Sequence, residues 1–64
     1  MMKFDKYKKN LYIEDDGRVF SYNTHVATVD YKKKTITELG WWSIITRKHV
    51  IYVRNLLDFK LIRN

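Results

Sequence analysis

Sixty-four residues without cysteine or proline allow one domain with one small core, and leave no disulfide framework or thiolate metal site to staple it. A formal charge of +6 and a pI near 9.7 bias the chain toward polyanionic partners without fixing a fold. No apolar run reaches the roughly 18 residues that span a bilayer, and MMKFDKYKKN lacks a signal peptide's apolar centre, so a cytoplasmic protein with no membrane partner is expected.

The first ten residues carry Lys3, Lys6, Lys8 and Lys9 around Phe4 and Tyr7. They read either as a flexible basic arm or as an edge strand anchored by the two rings, its lysines blocking edge-to-edge pairing. Residues 11–14, LYIE, alternate like a half-buried strand, with Leu11 and Ile13 on one face. Asp15-Asp16-Gly17 then gives a strong hairpin signal. The neighbouring acids of Glu14-Asp15-Asp16 are too few to hold calcium, which takes six or more oxygens. Residues 18–22, RVFSY, form a second strand with Phe20 and Tyr22 opposite Val19 and Ser21. Asn23-Thr24 reads as a tight turn or a bulge. Residues 25–30, HVATVD, are rich in β-branched side chains and give a third strand, with Ala27 and Val29 inward or Val26 and Thr28. YKKK at 31–34 is a turn, and TITEL at 35–39 is a fourth strand with Ile36 and Thr37 on opposite faces, closed by Gly40.

The stretch from Trp41 to Leu57 is long enough, and periodic enough, for a helix of three turns. Thr46 is the preferred N-cap and Ser43 the alternative. A wheel puts His49, Val50, Val53, Leu56 and Leu57 on one apolar face, with Arg54, Asn55 and Asp58 solvated opposite. Ile51 falls among the polar residues and Tyr52 at the margin of the stripe. The β-branched residues make a strand over HVIYV the rival reading. Arg47, Lys48 and His49 crowd the helix start, where the dipole is already positive, so either an anion binds there or two solvated cations tolerate the field. Residues 59–63, FKLIR, lean toward a short final strand rather than more helix. The sum is an α+β domain over residues 1–64: an antiparallel β-meander of three or four strands against one C-terminal α-helix.

Ser21-Tyr22-Asn23-Thr24-His25-Val26-Ala27 and Trp42-Ser43-Ile44-Ile45-Thr46-Arg47-Lys48-His49 carry a resemblance. They resemble a family of very small phage and mobile-element proteins that share an S-Y-x-T-x-(V/I)-A segment followed by W-S-x-(T/I)-T-x-x-H. The match spans residues 11–57, and departs at His25, where proline is frequent, and in placing Trp41 beside Trp42. The resemblance implies a phage-type origin in an infected host cell and brings no activity with it. Its motif positions here are Tyr22, Thr24, Trp42, Thr46 and His49, which also read as structural: Thr46 a cap, His49 a polar contact at the strand-to-helix junction.

An enzyme is not expected. His25, His49, Ser21 and Ser43 offer parts of a triad with nothing to fix the set, and Gly17 and Gly40 are too isolated for a phosphate loop. Two histidines without an acid at suitable spacing make a poor metal site, so neither metal nor cofactor is expected. Two binding readings remain. One is a host-protein inhibitor or modulator with Trp41, Ile51 and Tyr52 as its hot spot. The other is a nucleic-acid-binding surface built from Lys32, Lys33, Lys34, Arg47, Lys48 and Arg54, with Tyr31 or Trp41 stacking on bases. Self-association stays open as a remedy for the small core. The tryptophans discriminate: one should face inward, and the other lies either among lysines or in an apolar patch with Ile51 and Tyr52.

Overall fold

Period-two alternation builds a sheet, and a computed structural model covering residues 2–63 places its strands in sequential order. They are β1 (Met2–Lys3), β2 (Leu11–Ile13), β3 (Arg18–Ser21), β4 (Thr24–Asp30) and β5 (Thr35–Glu38), then the helix α1 (Ile44–Leu57) and β6 (Lys60–Arg63). β1 to β5 pair antiparallel as a meander, while β6 returns after the helix to lie parallel to β5. The fold is α+β with the expected final strand present, and among the described residues the sheet has six strands: the four expected of the meander and two more. The two additional strands are the edges, β1 and β6. Met1, at the tip of the expected arm, lies outside the described residues.

Leu11, Ile13, Val19, Ala27, Val29 and Ile36 turn one face of the sheet into the core, where Val50 and Val53 of α1 meet them. The inward choice in β4 is settled by a bulge. Val19 pairs with Ala27 but Phe20 pairs with His25, so Val26 is an extra residue and both Val26 and Ala27 are buried. The preceding turn is Tyr22-Asn23 rather than Asn23-Thr24, since those two hold left-handed φ values of 52° and 65°. Tyr22 therefore leaves the face it would share with Phe20, and its ring lies 5.5 Å from that of His49 on the helix side. Gly17 is required in the first hairpin. Its φ is 95°, and a Cβ there would collide with the carbonyl oxygen of Val29.

The helix begins earlier than its preferred cap. Ser43, in extended conformation, is the N-cap, and its Oγ accepts from the Thr46 N–H at 3.1 Å. Thr46 is not the cap. It sits in the first turn and faces inward with His49, Val50 and Val53. The buried stripe is thus centred on Val53, and Leu56, expected in it, lies at the margin and is exposed. Arg54, Asn55 and Asp58 are solvated as expected, and Asp58 closes the helix in left-handed conformation. The residues of HVIYV are helical throughout. No helix among the described residues is long and apolar enough to cross a membrane.

Candidate binding groove

The core is closed at the helix by the N-terminal segment, which is anchored rather than free. Phe4 is buried, and its ring meets Tyr52 edge-on at 5.5 Å. Tyr7 has a left-handed φ of 61°, and its carbonyl accepts from Asn10 N–H and Leu11 N–H, turning the chain into β2. That turn sets the Tyr7 ring 4.5 Å from His49 and edge-on to Tyr52 at 5.4 Å. Aromatic pairs of this geometry add about 0.5–1.5 kcal/mol each beyond their burial. Phe4 and Tyr7 thereby do what one tryptophan is expected to do. Trp41 is 59 % exposed and Trp42 is 45 % exposed, so neither faces inward.

Beneath this aromatic lid lies a polar cluster. Ser21 Oγ is 2.7 Å from His49 Nδ1 and 3.4 Å from Thr46 Oγ1, joining β3 to the first turns of α1. Ser21 and His49 are each 1 % exposed. Burial pushes the His49 imidazole below its ordinary pKa, so the neutral ring is favoured. A serine and a histidine in hydrogen-bond contact are two of the parts that nucleophilic chemistry uses. Here the rings of Tyr7 and Tyr22 lie against the imidazole, and the pair ties strand to helix.

On the solvent side of α1, residues from the helix, its entry loop and the N-terminal segment enclose a groove of about 610 Å³. Ile44, Ile51 and Tyr52 give it an apolar floor, with Trp41 and Tyr7 as further walls and Lys6, Arg47, Lys48 and Asn55 around them. The structure brings Trp41, Ile51 and Tyr52 together here. Trp41 is held from below. Glu38, 4 % exposed at the end of β5, accepts two hydrogen bonds from Arg47, from Nε at 2.6 Å and Nη2 at 2.8 Å. The same guanidinium lies 4.9 Å from the Trp41 ring centre. A bidentate ion pair thus fixes the guanidinium that lies against the indole. Arg47, placed at the helix start as a candidate anion ligand, is thus taken by a carboxylate of the chain itself.

The six basic candidates are divided between the β4–β5 turn and α1. Lys32, Lys33 and Lys34 occupy the β4–β5 turn, where Asp30 Oδ1 accepts from the Lys32 and Lys33 N–H groups, each at 3.0 Å. β5 then carries the chain away from that turn to the start of α1, where Arg47 and Lys48 sit. Arg54, two turns further along the helix, donates to Asn55 Oδ1 at 2.9 Å. Tyr31 lies at the Lys32–Lys34 end, edge-on to Phe59.

The face of the sheet away from the helix bears a row of rings. Tyr12 and Phe20 stack at 5.1 Å and 8° between planes, and Phe20 and His25 at 5.5 Å and 28°. Their ring faces are occupied by one another, and Arg18 beside Phe20 is paired with Asp16 at 2.8 Å. The Arg18 backbone N–H, and then its guanidinium, hold the Asp16 carboxyl below the usual range.

Of the groove residues, the sequence singles out Trp41, Ile51 and Tyr52 for a protein partner and Arg47 and Lys48 only for nucleic acid, and passes over Lys6, Tyr7, Ile44 and Asn55. Ile44 and Asn55 could have been found, since Ile44, Lys48, Ile51 and Asn55 share one helical row through Ile51. Lys6 and Tyr7 could not, because only the tertiary fold folds them back over α1. No metal-binding group of three or more histidine and acidic side chains occurs among the described residues. No family model, curated protein or solved structure matches this chain.

Proposed function

We propose that this chain is a non-enzymatic binding protein that docks onto another protein through the groove over α1. In a phage-type setting, its task is to modulate or inhibit a host protein. The observation that carries the reading is the convergence of Trp41, Ile51 and Tyr52 in one preordered concavity. Exposed aromatic and aliphatic anchors in a pocket are what protein hot spots are made of, and ordering them in advance lowers the cost of association. The sealed Ser21–His49 pair has no room for a substrate, which supports a role without catalysis.

A second reading, binding of single-stranded nucleic acid, draws on the exposed indole of Trp41 beside Lys48. It is the weaker one. Arg47 already covers one face of Trp41, and the Tyr7 and Tyr52 rings meet each other edge to face. Titration with short single- and double-stranded DNA and RNA, read by tryptophan fluorescence, separates the two. The expected result is no binding at about 50 mM salt. Quenching on single strands that weakens steeply with salt overturns the protein reading.

A further inference from the structure

The groove can be asked what chemistry its occupant must bring. Its lining contains two ammonium groups, Lys6 and Lys48, one guanidinium, one indole N–H, one amide and two phenols. It contains no carboxylate. The guanidinium of Arg47 is paired with Glu38, which leaves Lys48 and Lys6, the latter 5.2 Å from the Tyr7 ring centre, as the rim cations with no carboxylate partner among the described residues. The amide is also one-sided. Asn55 Oδ1 already accepts from Arg54 Nη1, so Asn55 presents its NH2 group as a donor. The lining is therefore rich in donors and poor in acceptors, around a floor of Ile44, Ile51 and Tyr52.

We propose that the occupant is a short acidic–apolar segment of a partner protein, pairing Asp or Glu carboxylates with a bulky aliphatic side chain. A carboxylate supplies acceptors without donors, so it satisfies Lys48, Lys6 and the Asn55 NH2 together. The aliphatic side chain lies on Ile44 and Ile51 between the walls of Trp41 and Tyr7. A volume of about 610 Å³ suits a few large side chains, and is in the range of sites that hold a compact ligand. This inference rests on the reading of the groove as a protein-docking site and adds the partner's chemistry to it.

The test is a titration of the ¹⁵N-labelled full chain with four probes, followed by amide chemical shifts. The probes are a seven-residue peptide alternating glutamate and leucine, its glutamine and lysine counterparts, and a ten-nucleotide oligothymidylate. The glutamate peptide should shift Lys48, Ile51 and Asn55 amides while Thr37, on the open sheet face, stays still. The glutamine peptide should bind about tenfold or more weakly, and Lys48→Glu should reverse the preference toward the lysine peptide. Lys48 is exposed, so the variant keeps the fold, and an unchanged spectrum outside the groove verifies it. Equal affinity for glutamate and glutamine peptides overturns the acidic preference and leaves protein docking standing. No groove shift with any peptide overturns both. Tighter groove binding of the oligothymidylate, or the same shifts appearing on concentrating the chain alone, replaces the acidic peptide by a nucleic acid or a second copy.

Discussion

His49 shows how one side chain can be read correctly in position and incompletely in role. It lies on the inward face of α1, 1 % exposed, hydrogen-bonded to Ser21 and covered by the rings of Tyr7 and Tyr22. Burial lowers its folded pKa below the 6.5 of the free ring. The unfolded chain therefore binds the proton more readily than the folded one. Stability from this site is fully present above pH 6.5 and is lost as pH falls through the folded value. Urea midpoints measured across that interval should fall for the wild type and hold steadier for His49→Gln, once both are corrected for the shared carboxylate titration. An identical slope in the two proteins would show that the imidazole is not sealed.

Glu38 is the other residue whose surroundings decide its meaning. In the sequence, alternation puts it on the face of Ile36, but nothing there supplies a partner for a buried carboxylate. The structure turns it inward, where it holds Arg47 and through Arg47 supports Trp41. Glu38→Gln keeps the shape but weakens two charge-assisted hydrogen bonds, at a cost of about 1–3 kcal/mol given the part-exposed guanidinium. Tryptophan emission should shift to the red and broaden, since the indole loses its ordered support. An unchanged spectrum with a normal stability loss would separate the ion pair from the groove wall.

At the scale of elements, the meander was legible because its signals are local. Asp16-Gly17 marks a hairpin, LYIE and TITEL alternate, and hydrophobic period alone places most inward residues. What escaped depended on contacts far apart in sequence. The bulge at Val26 cannot be read from β-branched content, since it is set by pairing with Val19 and Phe20. The cap moved from Thr46 to Ser43 because Thr46 is drawn inward toward Ser21, twenty-five positions away in the chain. The N-terminal segment is the largest such case. Its lysines suit a loose arm as well as an edge, and only Tyr52 and His49 reveal that Phe4 and Tyr7 are anchors. Phe4→Ala should therefore cost about 3 kcal/mol or more in chemical denaturation, as buried phenylalanine deletions do. A loss below about 0.5 kcal/mol would mean the segment is a surface arm after all.

At the scale of the whole molecule, two faces of different character follow from the topology. The helix covers one side of the sheet, and the groove forms on the outer side of that helix, where the N-terminal segment and the Trp41 loop rise around it. The opposite sheet face carries a stacked row of rings, Tyr12, Phe20 and His25, with Arg18 beside it paired to Asp16. The basic residues are spread along the chain, from Lys8 and Lys9 before β2 to Lys60 and Arg63 in β6. The six candidate cations are thus divided between the β4–β5 turn and α1, whereas Trp41 of the entry loop meets Ile51 and Tyr52 of α1 in one groove.

The most direct test of the account is site-specific photo-cross-linking in host extract. Benzoyl-phenylalanine replaces Asn55 in the groove or, in a parallel protein, Thr37 on the open sheet face. The account predicts one defined protein adduct from position 55, absent from position 37 and lost when Trp41→Ala is added. Equal adducts from both positions, persistence with Trp41→Ala, or cross-links to nucleic acid alone would contradict it.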